Sequence, residues 1–210
     1  MFCHPLGLGI KGSGMEKRLL KFSINLEFSD RNQPADKRML VTEFQNVEFP
    51  IEDLAQAINE GYAYSYQFAD QIRKSQNFKA TDIVSVDVDK GMTVEEAFSN
   101  PIVQQYCSLF YTTPRHTPDR HRFRLVFVLP RTITDPKEIR AISRALTRRL
   151  TGDMAATDPA RFFHGSTNSD PQIFDRQISP KFLNELIVDG STEPASESQE
   201  FSGHTSNTAR

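Results

Sequence analysis

The sequence predicts an α+β fold in which two small sheet layers face each other, and three observations carry that reading. Short runs of alternating apolar residues recur along the chain, segments with helical spacing interrupt them, and the two kinds interleave without a regular βαβ cadence. With 38% hydrophobic residues and 16 Phe among 210 positions, the chain can fill the core of one good-sized domain.

Taken in order, Leu19 to Phe28 reads as a strand with Phe22, Ile24 and Leu26 in period two. A polar turn with a proline follows over 30–37, and Met39 to Phe49 reads as a second strand closed by Pro50. Ile51, Leu54, Ala55 and Ile58 fall at helical spacing ahead of Gly61, a stop signal. Tyr62 to Phe68 alternates aromatic and small residues as a further strand would; such aromatics serve either a core or a base-stacking surface, more often the core. Phe68 to Gln76 is mixed. Ile83 to Asp89 is a β-branched run ending in acid, and Thr93 suits the N-cap of a short helix over Val94 to Phe98. Cys107 to Thr112 and Phe123 to Leu129 read as strands, the second ended by Pro130. The clearest helix is Pro136 to Leu150: Asp135 caps it, Pro136 sits in its first turn, Gly152 stops it, and Ile139, Ile142, Leu146 and Leu150 form its buried stripe. Ser179 to Leu186 reads as a last short helix.

Three segments follow from this pass: an N-terminal extension over 1–14, a domain over 15–189, and a disordered tail or linker over 190–210, rich in Ser, Thr, Glu and Asn. The apolar patch from Pro5 to Ile10 is broken by glycines and too short for a signal peptide, and Met15 is a candidate start. No run of about 18 apolar residues exists, so no membrane span is expected. Cys3 and Cys107 have no metal-type spacing and build no disulfide scaffold, which fits a reducing cytoplasm. The net charge of -2 hides an uneven spread: Thr113 to Leu150 holds ten Lys/Arg against three Asp/Glu, while every charged residue from Glu185 to Glu200 is acidic.

The chemistry centres on Asp87-Val88-Asp89. Strand geometry sets both carboxylates on one face, about 7 Å apart, and Val84, Val86 and Val88 on the other. A carboxylate pair at a strand end suits Mg²⁺ or Mn²⁺, since such ions take one or two protein carboxylates and complete their shell with water and phosphate. Lys90-Gly91 adds a charge and a tight turn. A polar strand end, an aspartyl-phosphate phosphatase and a glycosyltransferase use the same pattern, although Gly91 fits the phosphatase motif poorly. Tyr111 to Thr117 then runs into a loop with Thr113 and His116, groups that donate to phosphate oxygens. In Arg122-Phe123-Arg124 both arginines leave one strand face, where a triphosphate or protein carboxylates would neutralise them. Asp158, before Pro159, is a third acid or a helix N-cap. Arg140, Arg144 and Arg148 recur at i, i+4 and i+8, a stripe that suits either a phosphate backbone or plain solvent.

These motifs, in this order, resemble those of the archaeo-eukaryotic primase superfamily, and in particular the primase-polymerase domains of plasmid and phage replication proteins of the cyanobacterial plasmid type. Val86-Asp87-Val88-Asp89 is similar to the family's paired acids, His116 to its loop histidine, and Asp158 in Thr157-Asp158-Pro159-Ala160-Arg161-Phe162 to its later acid. Pro114 departs from the pattern, standing where a small hydroxyl residue is usual; Thr112 or Thr113 is the substitute. The resemblance covers Ile83 to Gly165 well. It implies an N-terminal α/β layer packed on an RRM-like sheet with the active site in the cleft between them. It implies Asp87, Asp89 and Asp158 as catalytic metal ligands for Mg²⁺ or Mn²⁺. Thr113, His116, Arg122, Arg124 and Lys90 would then bind the nucleotide, and Arg140, Arg144 and Arg148 the DNA. The partners so implied are nucleoside triphosphates, a single-stranded DNA template and a replicative helicase. The competing reading is a non-catalytic DNA-binding replication initiator module. A rolling-circle nickase is disfavoured, because His116 and His121 lack the His-hydrophobe-His spacing.

Overall fold

Nine strands and six α-helices make two antiparallel sheets and a helical layer among the residues that the computed structural model describes, 17–27, 38–167 and 169–192. The extension over 1–14, the turn over 30–37 and the tail beyond residue 192 lie outside those residues. The mixed α+β class with two facing sheets is the one expected.

The first sheet has the order β2-β1-β3-β8, built from β1 (Leu20–Asn25), β2 (Phe44–Phe49), β3 (Ala63–Ser65) and β8 (Phe162–Phe163). The second runs β4-β5-β7-β6-β9, from β4 (Gln67–Phe68), β5 (Phe78–Val88), β6 (Leu109–Thr112), β7 (Phe123–Ile133) and β9 (Gln172–Ile173). Within it, β5, the helices α3 (Val94–Ser99) and α4 (Pro101–Tyr106), β6, β7 and α5 (Pro136–Arg149) form a β-α-β-β-α succession with β7 between β5 and β6. Phe22, Ile24 and Tyr64 of the first sheet pack with Ile83, Leu109, Tyr111 and Val126 of the second, joined by Leu54 and Ile58 of α2 (Ile51–Asn59). On the opposite face of the second sheet, Val84, Val86 and Val88 meet Ile139, Ile142 and Leu146 of α5 and Leu183 and Leu186 of α6 (Pro180–Ser191). The period of two in β5 therefore sends its valines toward the helices, and Ile83, Ser85 and Asp87 toward the other sheet.

Several elements differ from the sequence reading, each for a physical reason. Met39 to Phe49 is not one strand: α1 (Met39–Thr42) precedes β2, and the Met39 carbonyl accepts from the Asn25 amide at 2.8 Å. The aromatic run is divided at Tyr66, with β3 in one sheet and β4 in the other; the Tyr66 carbonyl accepts from Ser23 Oγ at 2.5 Å. Tyr64, Tyr66 and Phe68 are core residues. Pro130 does not end β7, because the pairing with β5 jumps from Ile83↔Val128 to Thr81↔Ile133, and this irregularity relieves proline of a ladder donor. Asn100 caps an additional helix, α4, through Ile102 N–H, with Pro101 in its first turn. The capped starts of α3 and α5 are as expected: Thr93 and Glu96 form a reciprocal capping box, and Asp135 accepts from Lys137 N–H.

The helical layer closes at Gly190 of α6, where an added Cβ would stand 2.0 Å from the Ala141 carbonyl oxygen of α5. Gly190→Ala must force the two backbones apart. The expected cost is about 1–3 kcal/mol, read as a lower urea midpoint; an unchanged midpoint would show that the helices yield freely.

Candidate active site at the end of β5

The antiparallel register of β5 and β7 pairs Asp87 with Arg124 and Val88 with Phe123, which brings Asp89, just past the strand, beside Arg122. Two acids and two arginines, each two residues apart on their own segments, thus meet as two ion pairs. Arg124 Nε lies 3.1 Å from Asp87 Oδ1, and Arg122 Nη1 lies 3.2 Å from Asp89 Oδ2. The anion opposite these arginines is a protein carboxylate in each case.

The two pairs differ in solvation. The inner one is sealed, its side chains 5% and 4% exposed. Arg124 also donates through Nη1 to the Tyr111 hydroxyl at 3.1 Å and to the His164 carbonyl, and its guanidinium lies over the rings of Tyr111 and Phe163. Tyr111 in turn donates to the Tyr64 hydroxyl, which lies 3.0 Å from Ser85 Oγ. Burial opposes the Arg124 charge, but Tyr111 and Asp87 outweigh it and raise the guanidinium pKa. Burial pushes the Tyr64 and Tyr111 phenols up. In the outer pair, Asp89 is 35% exposed at the side chain and lines a cavity of about 360 Å³ together with Lys90, Thr93, Glu96, Arg120 and His121. Gly91 gives that cavity its turn, at a φ of 83° that favours glycine.

Thr113 and His116 sit in the loop between β6 and β7. Thr113 is 4% exposed and closes the loop by accepting from His116 N–H and donating its own N–H to Arg122. His116 Nδ1 accepts from Arg122 N–H at 3.2 Å and His121 Nδ1 from Val94 N–H at 3.2 Å, so both imidazoles keep Nε2 for other partners. Their rings lie 5.5 Å apart. Burial lowers the His116 pKa, His121 lowers it further, and Glu95 opposes them.

Asp158 is exposed and lies in a turn, not at a helix start: its Oδ1 accepts from Ala160 N–H at 2.7 Å and its carbonyl from Arg161 N–H. Its carboxylate also accepts from Ser75 Oγ at 2.7 Å and pairs with Arg140 at 3.3 Å. Arg161, three residues on, reaches the second oxygen of Asp87 at 3.5 Å. The turn of Asp158 is thereby tied to Asp87, while its carboxylate is taken up by Ser75, Ala160 N–H and Arg140. No group of three His, Cys, Asp or Glu able to hold a metal is assembled among the described residues. Mg²⁺ takes one or two carboxylates beside phosphate oxygens, and of the two acids the partly exposed Asp89 is the one whose chemistry fits that use, both oxygens of Asp87 being engaged by arginines.

On α5, the stripe of Arg140, Arg144 and Arg148 faces outward, with Arg140 paired to Asp158 and Arg148 to Asp189. Sequence reasoning passed over Arg161 and Ser75 as site residues. Arg161 was legible as a cation three places after Asp158; Ser75 had no local signal at all.

A family model described as the VapE N-terminal domain matches residues 60–188, more than half of the chain, and that span holds every residue of the candidate site. No curated protein sequence matches the chain. Among solved structures, the AEP domain of the cyanophage S-2L primase-polymerase is similar with a TM-score of 0.47 and 11% identity, over 81% of this chain and 89% of that one. The primase RepB′ is similar with a TM-score of 0.41 and 13% identity, over 80% of this chain and 57% of that one. No helix among the described residues is long and apolar enough to cross a membrane.

Two outcomes follow from this geometry. Asp87→Ala strands Arg124 in the core and costs about 3–5 kcal/mol in chemical denaturation, with part regained when Arg124→Met is added. In an NMR titration His116 changes charge below its ordinary 6.5, and His121→Ala moves that midpoint upward.

Proposed function

The chain belongs to the VapE N-terminal domain family, and from that premise we propose that it is a template-directed nucleotidyltransferase, a DNA primase-polymerase of the archaeo-eukaryotic type acting in plasmid- or phage-type replication. One observation carries the reading. Two carboxylates at the end of a central strand stand against two arginines, and the outer carboxylate, Asp89, lines a cavity in which Lys90, Arg120 and His121 stand with Glu96 and Asp119. Such a place suits a metal-bound triphosphate, in which both signs of charge must be met at once.

In this reading Asp89 and Asp87 would hold Mg²⁺ or Mn²⁺, with Asp158, whose turn lies beside Arg161, as the third acid that would serve them. Bound there, the ions would supply Lewis-acid stabilisation of the transferring phosphoryl group. Lys90 offers a mobile ammonium to the phosphates. His116 is mainly neutral at pH 7, and with Nδ1 taken by Arg122 N–H it donates from Nε2 to a phosphate oxygen. Arg124, 3% exposed, acts by orienting Asp87. Arg140, Arg144 and Arg148 supply a cationic track for single-stranded DNA, and a replicative helicase works in concert.

A second reading, a non-catalytic DNA-binding module of a replication initiator, has one observation in its favour. Both oxygens of Asp87 are engaged by arginines, and the Asp158 carboxylate is turned toward Ser75 and Arg140.

An extension assay separates the two. The protein is incubated with single-stranded DNA, with and without primer, labelled nucleotides and Mg²⁺ or Mn²⁺. Asp89→Asn is the variant of choice, because Asp89 is partly exposed and its loss spares the buried network. Metal-dependent product that lengthens with time and falls about 100-fold or more in Asp89→Asn is the expected result. Salt-sensitive DNA binding with no product from either protein would favour the module.

A further inference from the structure

We infer that Arg122 is an exchangeable counter-ion, which leaves Asp89 for a phosphate when a divalent cation arrives and so makes metal and triphosphate binding mutually dependent. The inference rests on the nucleotidyltransferase reading and adds to it a coupling between its two ligands.

The contrast between two otherwise equivalent ion pairs carries the argument. Arg124 is fully used, with Nε on Asp87, Nη1 on Tyr111 and the His164 carbonyl, and aromatic rings against its face. Arg122, one pleat outward on the same strand face, is 8% exposed and meets Asp89 through Nη1 at 3.2 Å. Its Nε is buried and has no hydrogen-bond partner among the described residues. Burying a donor without an acceptor costs free energy, and a guanidinium presents its donors as a fork that matches phosphate oxygens. The unmet donor belongs to the guanidinium that holds Asp89, a carboxylate 35% exposed that lines the cavity with Lys90, Arg120 and His121 as well as Glu96 and Asp119.

Charge balance then sets the coupling. With neither ligand bound, Asp89 and Arg122 neutralise each other. A cation on Asp89 takes the carboxylate from Arg122 and leaves a guanidinium seeking an anion. A phosphate on Arg122 leaves Asp89 uncompensated and raises its attraction for a cation. By linkage, each ligand strengthens the other to the same degree. The inner pair is not suited to this, since Arg124 is held by Asp87, Tyr111 and the His164 carbonyl with aromatic rings against its face.

The test is equilibrium binding, with no turnover required. Mn²⁺ alone is titrated by electron paramagnetic resonance of the free ion, and dATP and ATP are titrated separately in EDTA. Arg122→Gln should bind Mn²⁺ more tightly and the metal-free nucleotide more weakly, each by about fivefold or more. Asp89→Asn should show the reverse, with tighter metal-free nucleotide and weaker Mn²⁺. A merely structural role for Arg122 would weaken both ligands together. Unchanged or weakened Mn²⁺ binding in Arg122→Gln overturns the inference. Should that variant not fold, Asp89→Asn decides, because unimproved nucleotide binding there also overturns it. Wild-type protein that binds both ligands without the inversion sinks this inference alone; wild-type protein that binds neither sinks the nucleotidyltransferase reading with it.

Discussion

A carboxylate buried between two sheets constrains everything around it. Asp87 sits where Tyr64, Tyr111 and Phe163 pack, and an ionised group in such surroundings is tolerated only when paired and hydrogen-bonded. Arg124 meets that demand, and its remaining donors fix two further positions: the Tyr111 hydroxyl and the His164 carbonyl, just beyond β8. The short strand β8, which pairs with β3 through only Tyr64↔Phe163 and Ser65↔Phe162, is thereby held from both sheets. The hydroxyl chain through Tyr111 and Tyr64 to Ser85 returns to β5 itself. One ion pair thus ties β5, β6 and β7 to β3 and β8.

From that pair outward, solvation changes faster than sequence. Asp87 and Asp89 are chemically identical and two residues apart, as are Arg124 and Arg122, yet the inner carboxylate is 5% exposed and the outer 35%. The difference comes from where β5 ends. Val88 is the last residue in register with β7, and the bend through Asp89, Lys90 and Gly91 carries the outer acid beyond the rings that cover the inner one. Coulomb attraction in the inner pair is scarcely screened, while water competes for the outer one. The inner pair therefore suits fixed orientation and the outer one exchange.

Features governed by local geometry were legible in the sequence. The period of two in Val84 to Asp89 and in Arg122 to Arg124 sorted side chains to their faces, and the caps at Thr93 and Asp135 marked helix starts that the structure keeps. What stayed hidden depends on distant partners. The break at Tyr66 arises because β3 and β4 pair with different sheets, and nothing within Tyr62 to Phe68 encodes that division. The extension of β7 through Pro130 rests on an irregular register with β5, some 50 residues away along the chain. The sequence showed that the two arginines needed anions but left open whether phosphate or protein would supply them; the register of β5 against β7 answers with Asp87 and Asp89. Ser75 reaches Asp158 across 83 residues, a contact that only the folded chain creates.

The third acid is where magnitudes matter most. The Asp158 carboxylate is engaged by Arg140, Ser75 and Ala160 N–H, and each of these contacts is weak taken singly. Its ion pair with Arg140 is about half exposed on both sides, and such surface pairs contribute roughly 0–1 kcal/mol. The bonds from Ser75 Oγ and Ala160 N–H add about 0.5–1.5 kcal/mol each. The turn that carries Asp158 is held far more firmly, since Asp153 N–H donates to the Asp87 carbonyl at 2.8 Å and Arg161 reaches the Asp87 carboxylate from the same segment. Backbone placement beside β5 thus rests on contacts to the buried strand, and the direction of the side chain on exposed ones. In the proposed reading, a divalent ion at Asp87 and Asp89 would compete with one exposed guanidinium, one hydroxyl and one backbone N–H for that carboxylate, contacts weaker than those that seal Arg124 onto Asp87.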